Sequence, residues 1–171
     1  TENSMILARG ANPLTGLPGN ECIQRQIVKM LSQSIHFDVC YIDIDNFKSF
    51  NDLHGFEIGD RIIKNLSDIM LAGIKNLESS TFGFAGHIGG DDFIVISRPN
   101  HSIAICEYVT EQFEKMSIQF HTAKECKDNC YFSVDRQGNQ KKFSLLSLSI
   151  GIVSTEIHHI SSFAEISSIA S

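Results

Sequence analysis

His87-Ile88-Gly89-Gly90-Asp91-Asp92-Phe93 joins two apolar runs, Phe82 to Ala85 before it and Phe93 to Ile96 after it. Glycine enters left-handed turn conformations without the steric cost that other residues meet, so this stretch predicts a β-hairpin. Two adjacent carboxylates at its tip gather negative charge where the backbone can lie close to a ligand. In isolation such a tip reads as a solvated turn. A second strand end that carries carboxylates, Asp43-Ile44-Asp45, changes that reading.

Phe37 to Ile44 is rich in apolar, β-branched and aromatic residues and has no turn residue inside it. It predicts a strand buried on both faces and central in its sheet. Alternation sends Asp43 and Asp45 to one side while Ile44 points into the core. A carboxylate laid against a core strand costs free energy unless something cationic compensates it.

Outward from these two strands the chain alternates between helical and extended patterns. Asn12-Pro13-Leu14-Thr15-Gly16-Leu17-Pro18-Gly19-Asn20 reads as an ordered loop, with Asn20 as the cap of a helix from Glu21 to Ser32. Asn46 to Asp52 predicts one or two helical turns, stopped by His54-Gly55. A long helix is then expected to start near Gly59-Asp60, with Ile62, Ile63, Leu66, Ile69, Met70, Ile74 and Leu77 as its apolar stripe. Ile105, Val109, Phe113 and Met116 mark another helix after Pro99.

Gln119 to Lys142 is the least regular stretch and predicts a protruding hairpin or loop, with 135–139 as its turn. Cys126, Cys130 and nearby His121 lack a second pair of ligands, which argues against zinc. Leu145 to Val153 alternates as a strand, with Leu146, Leu148, Ile150 and Ile152 on one face; the tail from Ser161 to Ser171 is weakly helical and looks cut short. The element order gives an α+β protein, an antiparallel sheet with helices packed on it.

A length of 171 residues fits a single domain with its own core. The net charge of −6 argues against binding duplex nucleic acid, which needs a basic surface, but suits a nucleotide if metal ions supply the positive charge. No apolar stretch is long enough to span a bilayer, and Thr1-Glu2-Asn3-Ser4 has no secretory pattern, so no membrane contact is expected. Five scattered cysteines suit reduced thiols in the cytoplasm.

Five motifs stand in the order and approximate spacing of GGDEF domains, the diguanylate cyclases and their degenerate relatives. They are Asn12 to Pro18, Asp43 to Asp52, His54 to Asp60, Gly89-Gly90-Asp91-Asp92-Phe93, and Ser149-Ile150-Gly151. The chain resembles that family over residues 12 to 153, with a GGDDF variant of the name motif. The resemblance implies a five-stranded, mostly antiparallel central sheet flanked by helices, similar to nucleotidyl cyclase and polymerase palm domains. It also implies one GGDEF-like domain over 1–171, with 1–11 as a leader or linker and 119–142 as an insertion. The domain would be a piece of a larger signalling protein, similar to a subgroup found after a phosphodiesterase and a CBS pair.

The activity implied is the Mg²⁺-dependent (or Mn²⁺-dependent) condensation of two GTP molecules into cyclic di-GMP by a homodimer. By resemblance, Asp43, the Ile44 carbonyl, Asp91 and Asp92 hold metal, and Asp43, Asp91 and Asp92 are catalytic. Gly89 and Gly90 let backbone lie along the phosphates, Phe47 and Lys48 meet the triphosphate, and Asn51 and Asp60 read the guanine edge. Relatives that make mixed adenine–guanine products tend to have serine at the Asp60 position. Taken singly, Lys48 reads as a solvated helix residue, Phe47 as core, and Asn51 and Asp60 as helix caps.

The chain departs from the family pattern at several places. Asp92 stands where the family has glutamate, and a one-methylene misplacement of a ligand can cost about 100-fold in rate. His87 replaces a common arginine. Ser80 and Gly83 replace the Arg-x-x-Asp of product inhibition, so no feedback through that site is expected. The sequence stops before the basic C-terminal segment that carries the family's phosphate-binding lysine, so that contact either lies past Ser171 or is absent. These departures keep a second role open, a GTP-binding regulatory module beside a phosphodiesterase.

Overall fold

The computed structural model describes residues 10–79, 81–160 and 162–170 of the chain. Strand β1 (Asp38–Ile44) forms the axis of the molecule, paired antiparallel with β3 (Asp92–Ser97) on one side and β6 (Leu148–Ser154) on the other. β2 (Phe84–Gly89) extends the sheet beyond β3, giving the order β2-β3-β1-β6. β1 is therefore central, as its unbroken apolar run requires.

The expectation of five strands is corrected to four in this sheet among the described residues. The remaining strands, β4 (Cys130–Val134) and β5 (Gln140–Ser144), pair only with each other. Of their buried positions, Cys130, Tyr131, Ser133 and Phe143, Ser133 bonds to the Ser49 carbonyl and Tyr131 packs edge-on to Phe50, so this hairpin packs against the core without joining the ladder.

Helices cover both faces of the sheet. Even-numbered β1 residues Cys40, Ile42 and Ile44 pack with Phe93 and Val95 against α2 (Phe47–His54), α3 (Phe56–Leu77) and α4 (Ser102–Ser117). On the other face Val39, Ile94, Ile96 and Val153 pack against α1 (Asn20–Ser32) and α6 (Phe163–Ala170), through Ile23, Ile27 and Ile166. Alternation along each strand thus feeds two separate apolar clusters. Between α4 and β4 lie a short 3₁₀ turn (Ile118–Phe120) and helix α5 (Ala123–Asp128).

Three boundaries differ from the sequence reading. Helix α3 begins at Phe56, a turn before the expected start near Gly59. Gly55, at φ +94°, both ends α2 and opens α3, so one glycine separates the helices. Asn20 is the first helical residue of α1, behind Gly19 at the cap, and caps nothing with its side chain. β6 starts at Leu148, and Leu146 is buried ahead of it. Ser80 lies outside the described residues; at Gly83 a β-carbon would overlap the Ile74 side chain.

Candidate functional site

The carboxylate cluster follows from strand register. Asp43, the penultimate residue of β1, stands opposite Asp92, the first residue of β3. Asp91 sits in the preceding turn, and the Ile44 amide donates to its carbonyl at 3.3 Å. Oxygens of Asp43, Asp91 and Asp92 all lie within 4.8 Å of one another. The shorter arm of Asp92 therefore still reaches the cluster.

These three residues are the sole group of acids, histidines and cysteines placed to share a metal ion among the described residues. Cys126, Cys130 and His121 are not brought together in that way. Asp43 keeps solvent on one side, yet partial desolvation, with the carboxylates of Asp91 and Asp92 beside it, pushes it up to about 7. Asp45 is engaged elsewhere, accepting from Ser147 Oγ at 2.8 Å and Ser149 Oγ at 2.5 Å.

Two depressions adjoin the cluster. A cleft of about 580 Å³ runs between α2 and α3 and is lined by Phe47, Lys48, Asn51, Asp60, Gly90 and Asp91, among others. A second, of about 630 Å³, opens on the α6 side of the sheet over Asp43, Asp92 and Ser149. The cluster thus lies between two spaces, each large enough for part of a nucleotide.

Asn51 lies within α2 and Asp60 within α3, so neither is a helix cap. Asn51 Oδ1 is buried without a hydrogen-bond partner, an arrangement that costs about 1–3 kcal/mol until a donor arrives. The absence of a side chain at Gly59 makes room for it, because a β-carbon there would overlap the Asn51 amide. At the other end of α2, Asn46 is held at φ +55° and provides no side-chain cap, which leaves the first amides of the helix for a ligand. Phe47 is buried at the cleft wall, and Lys48 Nζ is paired with Asp52 at 2.8 Å on an exposed rim.

Gly90 has φ +52°, which the tight turn between β2 and β3 requires. Gly89 has no such conformational need, and a β-carbon there would meet no protein atom within 4 Å. The fold leaves open space at both glycines.

His87 was not singled out as a site residue by its sequence, yet it holds the turn. Its ring is buried and stacked on Phe93, with centroids 4.2 Å apart and planes within 6°. Nε2–H donates to the Gly90 carbonyl at 2.9 Å, which fixes the tautomer, and Nδ1 accepts from Thr15 Oγ at 3.0 Å. The loop before α1 is itself closed by an Asn12 side chain that accepts from the Leu14 amide. That loop is thereby clamped to the hairpin tip, and only the Gly-Gly beside His87 hinted at it.

A family model described as diguanylate cyclase, GGDEF domain, matches residues 11–135. The chain is 28% identical over 116 residues to the cyclic di-GMP phosphodiesterase PdeB of Shewanella oneidensis, which covers 66% of this chain and 13% of that protein. It is 30% identical over 124 residues to the diguanylate cyclase DgcP of Escherichia coli, covering 70% of this chain and 35% of that protein. It therefore spans far less than two thirds of either relative. Among solved structures, diguanylate cyclase SiaD of Pseudomonas aeruginosa, in complex with its activator SiaC, shares the fold. Its TM-score is 0.68 at 18% identity, covering 99% of this chain and 58% of that one.

Proposed function

The chain belongs to the diguanylate cyclase, GGDEF domain family, and on that footing we propose that it binds GTP with Mg²⁺ (or Mn²⁺) and, as a homodimer, condenses two GTP molecules into cyclic di-GMP and pyrophosphate. The observation that carries this reading is the convergence of Asp43, Asp91 and Asp92 beside a cleft that also holds Asn51 and Asp60.

The donor set suits a divalent cation: three carboxylates converge, and partial burial together with the neighbouring Asp91 and Asp92 carboxylates keeps Asp43 well above the ordinary carboxylate range. Asp43, Asp91, Asp92 and the Ile44 carbonyl are the groups that would hold it. A bound cation supplies positive charge against the phosphoryl oxygens of the transition state.

The chain's own residues do the rest. The free amides at the start of α2, from Phe47 and Lys48, receive the triphosphate, and Lys48 exchanges Asp52 for it. Gly89 and Gly90 admit the phosphates along bare backbone. Asp60 accepts from guanine N1–H and the exocyclic amine, while Asn51 satisfies its buried oxygen on the same edge. Adenine offers an acceptor at N1 and is refused. Asp92 takes the proton of the attacking 3′-hydroxyl; a bond forms from that oxygen to the α-phosphorus, and pyrophosphate leaves. A second attack of the same kind closes the ring. One guanine cleft per chain is why two copies are needed.

A second reading is a GTP-binding module that regulates a neighbouring phosphodiesterase without turnover. It is favoured by Asp92 in place of glutamate and by the likeness to PdeB. In either case we read residues 1–171 as one cytoplasmic domain of a larger signalling protein, itself either soluble or membrane-tethered, with 119–142 as an insertion. Phosphodiesterase or CBS domains are the neighbours we propose, and nucleic acid and membrane are not partners. No helix among the described residues is long and apolar enough to cross a membrane.

The test is incubation of the purified chain at high concentration with GTP and Mg²⁺. Cyclic di-GMP that disappears on Asp91→Ala supports turnover. Calorimetric GTP binding without product supports the regulatory reading. Failure to bind any guanine nucleotide overturns both.

A further inference from the structure

We propose that the segment from Ile118 to Ser144 is a brace for helix α2, and that Glu125 is a positioning residue for the nucleotide cleft, acting through His54. The nucleotide part of this inference rests on the GTP reading; the mechanical part does not.

Helix α2 is eight residues long, too short to hold its own place, so its position is set by what packs on it. One face carries Phe47, Lys48 and Asn51 to the cleft. The segment grips the rest of the helix at three places. Its last residue, His54, donates from Nε2 to Glu125 Oε1 at 3.1 Å, with both side chains largely buried. Its middle is held where Ser133 Oγ donates to the Ser49 carbonyl at 3.1 Å. Between them the Phe50 ring lies 4.4 Å from the ring of His54, 5.5 Å from that of His121 and 6.1 Å from that of Tyr131.

The brace is itself anchored. Glu125 closes a capping box at the start of α5, with Oε2 accepting the Thr122 amide at 2.7 Å, so its carboxylate arrives at α2 already oriented. His121 Nε2 accepts the Leu146 amide at 3.0 Å, which ties the segment to the entry of β6. With Nε2 an acceptor, the His121 proton sits on Nδ1, facing Glu125 Oε2 at 3.7 Å. The gripped groups alternate with the ligand-facing ones: Ser49 follows Lys48, and Phe50 precedes Asn51. A shift of α2 therefore moves the triphosphate and guanine contacts together.

The test measures hydrogen exchange of the α2 amides and calorimetric Kd for GTP with Mg²⁺ in three variants. His54→Ala is expected to speed exchange in α2, with β1 and β3 unchanged, and to raise Kd about 5- to 10-fold, as small misplacement of binding groups does. Ser133→Ala shifts both in the same direction by less. Glu125→Gln keeps one acceptor but sets its NH₂ against either the Thr122 amide or His54 Nε2–H, so it is expected to move both readouts in the direction of His54→Ala, and wild-type exchange and Kd in this variant overturn the role of Glu125. Wild-type exchange and Kd in both His54→Ala and Ser133→Ala overturn the brace. Faster exchange with unchanged Kd overturns the positioning role. Should His54→Ala not fold, Ser133→Ala, which removes one hydroxyl, decides. If the wild-type chain binds no GTP, the functional reading fails and α2 exchange alone decides the brace.

Discussion

Asp43 and Asp92 face each other across the β1–β3 ladder, one at the end of a central strand and the other at the start of its neighbour. Backbone hydrogen bonding holds their α-carbons in register, so the two carboxylates meet whether or not they repel. Asp91, one residue back in the turn, makes a third. Side-chain repulsion cannot undo a strand pairing supported by Ile42, Phe93 and Val95 in the core. The protein therefore stores like charge at one point.

That crowding sets a pH dependence for the metal-free chain. Asp43 sits at about 7 when folded, against an ordinary 3.8, so the folded state keeps a proton that the unfolded state releases. Stability then falls as pH rises between about 4 and about 7. For Glu78, burial pushes the carboxyl up, but the Arg98 and Ser79 amides and the His101 ring hold it below its ordinary value. Its contribution runs the opposite way and is lost only as pH falls below about 4.5. Burial holds His121 below its ordinary imidazole range, so its contribution also opposes that of Asp43 as pH falls below about 6.5. Urea midpoints measured with a chelator from about pH 5 to about pH 7.5 are therefore compared between wild type and Asp43→Asn, and the variant is expected to gain on wild type as pH rises. Identical pH slopes in the two contradict this assignment.

Metal affinity has the converse dependence. Binding at the cluster displaces the Asp43 proton, so Mg²⁺ affinity rises with pH up to about 7 and levels off above it. Calorimetry in two buffers of different ionisation enthalpy would read the released proton directly. Affinity independent of pH across that range counts against the cluster as the site.

The two turn glycines separate conformation from ligand access. Gly90→Ala places a side chain at φ +52° and is expected to lower stability by about 1 kcal/mol. Gly89→Ala meets no protein atom and is expected to leave stability within about 0.5 kcal/mol of wild type. It is nevertheless expected to raise the GTP Kd about tenfold by filling the phosphate approach. Equal GTP affinity in wild type and Gly89→Ala would remove the phosphates from that position.

Gly59→Ala should act on guanine through Asn51. The new β-carbon occupies the space of the Asn51 amide, so the side chain must turn away. Preference for GTP over ATP is expected to drop about tenfold, a loss of one good hydrogen-bonding contact. Competition binding with both nucleotides reads the ratio; an unchanged ratio means that Asn51 takes no part in reading the base.

His87→Ala removes the ring stack on Phe93 and both hydrogen bonds that clamp the hairpin tip to Thr15. The cavity and the orphaned Gly90 carbonyl together should cost about 2–4 kcal/mol. In a chain of this size that lowers Tm by about 5–15 °C, measurable by calorimetry. A shift below about 2 °C would show that the clamp is not a structural necessity.

Much of the fold was legible because local pattern reports which face of an element is apolar. The β1 run, the α3 stripe and the glycine turn of the central hairpin all matched their elements. The start of α3 was not legible because exposed Phe56 and the glycines at 55 and 59 mask the first turn, although Ile58 in it packs against the core one turn before Ile62. Nor was the number of sheet strands. The 135–139 turn signals that β4 and β5 pair with each other, but nothing local says whether that hairpin also joins the main sheet. Of the candidate site, the carboxylates and glycines were visible as motifs. His87, Thr15 and Gly59 were not assigned, since their importance lies in what they touch.

The sequence by itself determined the chemistry available: carboxylates at two strand ends, a pair of glycines, and polar residues spaced along two helices. Tertiary structure decided which of them act together. Register put Asp92 against Asp43 while Asp45 was drawn to Ser147, just ahead of β6, and Ser149 within it. A glycine on one helix made room for an unpartnered asparagine on another. The physical reason is range. Periodicity is a property of neighbours a few residues apart, whereas a site is built from groups that meet only when distant strands and helices close on one core.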